Sequence, residues 1–210
     1  MNLQQMAADT VEILHRQYPD ADCTLDYRQP WQLLVAAVLS AQCTDARVNQ
    51  ITPPLFARYS DLSDLAAADP AELESLVRSC GLFRTKARSI LGASRMLVEK
   101  YNGELPRTLP ELISLPGVGR KIANLILGDC FAIPAIVVDT HCMRISRLIG
   151  LTDQAEPEAI ENDLKQIIAV DNWIDYGHLM VFHGRVLCPA RHPDCPHCPL
   201  NGFCRFNLHR

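Results

Sequence analysis

Two stretches of the chain carry side chains that could do chemistry, and a third could hold metal. Leu115 to Asn124 reads Leu-Pro-Gly-Val-Gly-Arg-Lys-Ile-Ala-Asn, and an Asp-Thr-His follows at 139–141. Pro116 must stop one helix, because its ring clashes with the preceding turn and turns Leu115 away from helical geometry. Gly117 and Gly119 tolerate positive φ and leave their amides uncovered. Arg120 and Lys121 then open a second helix, whose N-terminal dipole end and spare amides form a seat for phosphate. Lys121 sits in the first turn beside that seat. Beside Arg120 and desolvated by a bound duplex, part of this amine is neutral, and a neutral amine is a nucleophile. Asp139 either caps the helix that begins near His141 or supplies a carboxylate to steady a developing cation, and an N-cap geometry allows both.

The third stretch is the tail. Cys188, Cys195, Cys198 and Cys204 follow the spacing C-x6-C-x2-C-x5-C, with Pro189, Pro193, Pro196 and Pro199 stiffening the loops between them. Four thiols so close in a polar tail read as a metal site, with zinc and an iron–sulfur cluster both allowed by the spacing. Such a tail must be held by something other than a core. The other five cysteines (Cys23, Cys43, Cys80, Cys130 and Cys142) fall in helical or apolar contexts and read as small buried residues.

Composition fits a folded chain with a reduced interior. Of 210 residues, 48% are apolar and 21% charged, which excludes a disordered protein. Met1 to Leu14 lacks the basic-then-apolar pattern of a secretory leader. No apolar run approaches the roughly 20 residues of a membrane span. Nine cysteines, an odd number, in such a chain favour metal over disulfides and a cytoplasmic setting. The net charge of −4 hides a gradient: Arg84 to Lys121 is basic, whereas Thr152 to Asp175 holds seven acids and only Lys165. A basic face on an acidic body permits DNA contact, since local potential steers binding. Charge alone is equally compatible with solvated helix faces.

The elements that position these residues read as helices throughout. Leu3, Ala7, Val11, Leu14 and Tyr18 give an amphipathic first helix ending at Pro19. Pro30 starts a helix apolar on most sides, hence buried. Thr44 or Asp45 caps the next, which Pro53-Pro54 must kink or end. Asp69-Pro-Ala-Glu72 is a capping box for a helix ending at Gly81. Leu82 to Arg84 reads as a link, Thr85 as the cap of a long helix stopping near Asn102-Gly103, and Thr108 with Glu111 as another box. Helices from Arg120 to about Phe131, from Asp139 or Thr140 to Leu148, over 158–170 and over about 173–187 complete an all-α chain. No segment alternates as a half-exposed strand would.

These motifs resemble the helix–hairpin–helix DNA glycosylase family in its form with a C-terminal four-cysteine loop. The matching stretches are Leu39-Ser-Ala-Gln42, Gly81-Leu-Phe83 with Lys86-Ala87, Leu115 to Asn124, Val138-Asp-Thr-His141, His183-Gly-Arg185 and the tail, in the family's order. Ile122, Cys43 and Pro53-Pro54 depart from its pattern. The resemblance implies two helical domains: a six-helix block with the hairpin at residues 23–133, and a discontinuous iron–sulfur domain of 1–22 plus 134–210, with a DNA-binding cleft between them. It implies a [4Fe-4S] cluster on the four cysteines. It implies a monomer acting on double-stranded DNA that carries a damaged base or an abasic site, with no membrane. Lys121 would be the nucleophile and Asp139 its partner. Gln42 would fill the position vacated by an extruded base and Leu82 would wedge the opposite strand. Gly117, Gly119 and Arg120 would hold backbone phosphate, and the cysteine loop would present Arg191. His141 contacts DNA or simply continues its helix. The implied activity is excision of oxidised pyrimidines followed by strand nicking. A glycosylase for mismatched thymine or pyrimidine dimers, a non-catalytic hairpin module and an iron–sulfur electron carrier are the competing expectations.

Overall fold

The structure is a computed structural model and describes residues 2–209. Twelve α-helices and no strand occur among the described residues. None of these helices is long and apolar enough to cross a membrane. The contacts divide the chain into two compact units, one made of Cys23–Phe131 and the other of the chain up to Asp22 together with Ala132 onward.

The discontinuous unit begins with α1, Leu3–Gln17, whose N-cap Asn2 accepts from the Gln5 amide at 2.8 Å. Its apolar face (Ala7, Val11, Leu14) is buried in the unit's core together with Ile145, Ile160 and Leu179 from the C-terminal third.

In the continuous unit, α2 (Pro30–Leu39) is buried along nearly its whole length and packs on α3 (Asp45–Arg58), α6 (Phe83–Tyr101) and α8 (Arg120–Phe131). Around it lie α4 (Leu62–Ala66), α5 (Pro70–Val77) and α7 (Leu109–Ile113). Pro53 and Pro54 do not end α3, which continues to Arg58. Each proline removes an amide and costs on the order of 3 kcal/mol in a helix interior. Burial of Ile51, Thr52 and Leu55 on the core face of α3 offsets that cost by holding both sides of the pair in place.

Three helix starts differ from expectation, the first at Thr108, which makes no capping bond to α7 because its hydroxyl donates to the Glu111 carboxylate at 2.5 Å. Asp69 caps α5 through the Glu72 amide at 2.9 Å, but the Glu72 carboxylate forks onto Arg58 at 2.6 and 2.9 Å, where a capping box would turn it back to the cap. The long helix α6 starts at Phe83, two residues before Thr85. Gly81 (φ +65°) and Leu82 (φ +46°) make a left-handed turn, and the Lys86 amide closes on the Leu82 carbonyl at 3.0 Å. That bond starts the helix before Thr85 can cap it. At the other end Asn102 adopts φ +53° and the Gly103 amide returns to the Leu97 carbonyl at 2.9 Å, as a left-handed cap should.

The C-terminal third holds α9 (Thr140–Ile149), α10 (Pro157–Ile167), α11 (Trp173–Val186) and the short α12 (Arg205–Leu208). Its tail does reach the core, because Leu200 is buried there and Phe203 packs against it. Of the five cysteines read as buried, only Cys80 and Cys142 are; Cys23, Cys43 and Cys130 are half-exposed. Cys23 and Cys43 lie in loops between helices and Cys130 in the last turn of α8.

Candidate functional site

The hairpin forms as its residues dictate. The helix α7 stops at Ile113, the Val118 amide turns back to the Leu115 carbonyl at 3.1 Å, and Gly117 takes φ +78°. The first bond inside α8 runs from the Ala123 amide to the Gly119 carbonyl at 3.0 Å, so the amides of residues just ahead have no acceptor within the helix. Gly117, Gly119 and Lys121 are exposed and Arg120 is half-exposed. The hairpin is seated on α6. A Cβ on Gly117 would fall 2.5 Å from the Ser89 Cβ, and one on Gly92 would fall 3.2 Å from Pro116 Cγ. Ser89 and Gly92 are small because the loop lies directly upon them. The two glycines of the hairpin therefore differ, since a Cβ on Gly119 would meet open space.

Gln42 and Leu82 share the continuous unit with the hairpin. Both are exposed at loop tips, both are non-glycine residues in left-handed backbone (φ +54° and +46°), and Leu82 exposes 57% of its surface. Left-handed geometry at a bulky side chain is a strained arrangement that the surroundings must enforce. Three and two residues ahead of these positions, two backbone carbonyls are held by a residue that the sequence motif contained without a role. Lys86 is 4% exposed, and its ammonium donates to the carbonyl of Leu39 at 2.8 Å and of Cys80 at 2.6 Å.

Asp139 lies in the other unit, where it caps α9: Oδ1 accepts from the Cys142 amide at 2.8 Å. The carboxylate is half-buried and its direction is fixed by that bond. Of the two cap candidates for α3, Thr44 is the cap, and Asp45 accepts from the Thr24 hydroxyl at 2.6 Å. The ring of His141 packs on α11 at Gly184, where any Cβ would fall 2.2 Å from its Nδ1. The glycine of the His183-Gly-Arg185 motif is thus explained by the histidine of the Asp-Thr-His motif. Arg191 is exposed beside His192, whose φ of +60° marks a tight turn.

All four tail cysteines line one cavity with an otherwise mainly apolar wall, including Ile145, Ile149, Leu187 and Leu200. Arg144 donates to the Cys188 carbonyl at 2.7 Å and approaches its sulfur at 3.5 Å, and His183 Nε2 stands 3.6 Å from the Cys198 sulfur. Burial pushes the Cys198 thiol up to about 11, helped by the neighbouring cysteines. Burial also raises Cys188, while the Arg144 guanidinium pulls it back. Thiols that resist ionisation together ionise readily around a cation, so the donor set suits a sulfur-liking metal or cluster. As they stand, no three metal-binding side chains among the described residues form a group able to hold a metal ion.

The helical block and the glycine hairpin point to a class that comparison with known proteins settles. The chain belongs to the HhH-GPD superfamily of base excision DNA repair proteins, whose family model matches residues 35–169. Within that class it is similar to endonuclease III. It is 48% identical over 202 residues to endonuclease III of Synechocystis sp., covering 96% of this chain and 92% of that one. It is 40% identical over 206 residues to endonuclease III of Bacillus subtilis, covering 98% and 94%. A solved non-covalent endonuclease III–DNA complex superposes with a TM-score of 0.95 at 44% identity, covering 100% of this chain and 99% of the other. A trapped endonuclease III–DNA covalent intermediate matches equally well. A thermostable thymine-DNA glycosylase, at 18% identity and a TM-score of 0.87, shares the fold.

Proposed function

We propose that this protein is a bifunctional DNA glycosylase and abasic-site lyase that removes oxidised pyrimidines from duplex DNA. The observation that carries the reading is an exposed lysine in the first turn of α8, immediately after the exposed hairpin glycines Gly117 and Gly119. Its likeness to a protein trapped covalently on DNA supports the same reading.

The chemistry follows from an amine nucleophile. A target base stacked in the duplex hides C1′, so the nucleotide is first extruded. Leu82 enters the stack from the opposite strand as an apolar wedge and Gln42 occupies the vacated space. Gly117, Gly119 and Arg120 grip a backbone phosphate, and Arg191 and His141 contact the strand outside the pocket, which sets register without reading sequence. The neutral Lys121 amine attacks C1′; the C1′–N bond breaks and the base departs with that electron pair, taking up a proton. Asp139 stabilises the positive charge that develops on the sugar and accepts the proton shed by the lysine. Ring opening gives an imine between Nζ and C1′. The imine acidifies C2′–H, and loss of that proton expels the 3′ phosphate. Water then hydrolyses the imine and frees Lys121.

The four cysteines Cys188, Cys195, Cys198 and Cys204 hold a [4Fe-4S] cluster in this reading. The cluster supplies a cross-link for the loop that presents Arg191 and takes no part in the steps above. A brown protein with about four irons per chain is the expected result, with loss of iron on replacing any of the four by serine. The protein acts alone, where the DNA is, in the cytoplasm.

Borohydride reduction tests the central step. Reaction with a duplex carrying one oxidised pyrimidine yields a stable protein–DNA adduct, and Lys121→Gln abolishes the adduct while retaining DNA binding. Strand nicking by Lys121→Gln at the normal rate removes Lys121 from the chemistry. A panel of duplexes, each with one damaged or mismatched base, separates oxidised pyrimidines from mismatched thymine and pyrimidine dimers as the preferred target.

A further inference from the structure

Lys86 presents an arrangement that the chemistry above does not use. Burying an ammonium is expensive unless every charge-assisted bond is well made. Here the ammonium meets two carbonyls left over at helix ends. Leu39 closes α2, and Cys80 closes the 3-10 turn Arg78–Cys80 that follows α5. Such terminal carbonyls lack helical partners and carry the negative end of the dipole, so one cation serves both. The two carbonyls it joins, of Leu39 and Cys80, are 41 residues apart in the chain, and their segments end, within three residues, in the left-handed positions Gln42 and Leu82. The thiols of Cys43 and Cys80 meet across the same junction. Lys86 precedes Ser89, on which the hairpin sits, by about one turn of α6.

We propose that Lys86 is a positioning residue for base extrusion: its ammonium clamps the loop of Gln42 to the loop of Leu82, so that the two side chains enter the duplex as one rigid fork. The proposal rests on the reading that Gln42 and Leu82 enter DNA. It adds that their strained backbones are held by this one internal cation, and that neither side chain acts well once the clamp is gone. A flexible pair of loops would spend binding energy on ordering at each encounter, whereas a clamped pair is already in place.

A double-mutant cycle on the full protein tests this, reading the single-turnover excision rate of thymine glycol paired in a duplex. Lys86→Met is expected to lower that rate about tenfold or more in the wild-type background and less than about twofold in the Gln42→Ala/Leu82→Ala background, since residues acting as a unit are not additive. The loss is also expected to shrink for thymine glycol facing an abasic gap, where less unstacking is needed. An equal loss in both backgrounds, or no loss in either, overturns the proposal. Should Lys86→Met fail to fold, the same cycle is run with Lys86→Arg, whose planar fork keeps the charge but does not place one compact head between both carbonyls. A loss confined to the wild-type background supports the clamp, and any other pattern overturns it. The Gln42→Ala/Leu82→Ala protein separates the two layers of the argument. If it excises at the wild-type rate, the reading of these residues as inserted side chains fails, independently of Lys86.

Discussion

The hydroxyl of Tyr18 meets Nδ1 of His183 at 3.1 Å, and the other nitrogen of that ring faces the sulfur of Cys198 at 3.6 Å. The first helix is thereby tied through one buried imidazole to the cysteine loop. Burial pushes His183 down to about 4, with the Arg144 charge adding to the effect. Its two nitrogens can then serve as one donor and one acceptor. Tyr18→Phe deletes the hydroxyl but not the ring, leaving a buried nitrogen unpaired at a cost of about 1–2 kcal/mol. The expected outcome is a lower urea midpoint with an unchanged slope. A midpoint equal to wild type would show the bond to be energetically idle.

Capping and catalysis by Asp139 are separable. Asparagine caps a helix about as well as aspartate, so Asp139→Asn is expected to keep the melting temperature, while Asp139→Ala loses about 1 kcal/mol. Excision is expected to fall in both by about 10²-fold or more, the usual worth of a positioned acid–base group. A fully active Asp139→Asn protein would reduce this residue to a cap.

The two hairpin glycines should fail differently. Gly117→Ala forces a side chain into Ser89 at φ +78°, a strain of about 1–3 kcal/mol. Gly119→Ala meets no atom within 4 Å, so its melting temperature is expected to match wild type while its DNA affinity drops. Thermal denaturation beside a binding titration distinguishes them. Unchanged DNA binding by Gly119→Ala would remove its amide from phosphate contact.

Acid dependence is expected at the Arg58–Glu72 pair. Arg58 holds the Glu72 carboxyl below its ordinary value of 4.5, mainly by the hydrogen bond between them. A carboxylate depressed in the folded state contributes stability above its ordinary value and loses that contribution as the pH falls through the depressed one. The melting-temperature gap between wild type and Arg58→Met is therefore expected to be present at neutral pH and to close on acidification below 4.5. Both side chains are solvent-exposed, so the gap is small throughout. A gap that does not vary with pH would locate the effect of Arg58 in packing on Tyr59, over whose ring it also lies.

Local chemistry was the most readable part of the chain. The start of α8 at Arg120, the cap at Asp139 and the left-handed stop at Asn102 depend on residues within a turn of one another, and all three form as their types require. The errors share a different cause. The helix α3 survives two prolines because of buried contacts made by Ile51 and Leu55, and α6 starts early because the Lys86 amide closes on the Leu82 carbonyl after the left-handed Gly81-Leu82 turn. Lys86 was visible as a letter in a motif, but its partners are backbone carbonyls 47 and 6 residues away. A carbonyl has no sequence signature, so no pattern could have named them. Ser89 and Gly92 were hidden similarly, being small only because another loop lies on them.

The first helix emerges from the ribosome long before the segments it packs on, since α10 and α11 lie in the last third of the chain. At translation rates of roughly 5–20 residues per second, that delay is several seconds to about half a minute. During it the Ala7, Val11 and Leu14 stripe has no lasting cover, while Cys23–Phe131 can close around its own core. Biosynthesis of this protein is therefore out of step with its architecture: the middle matures first, and the opening segment finds its place only when the closing one arrives.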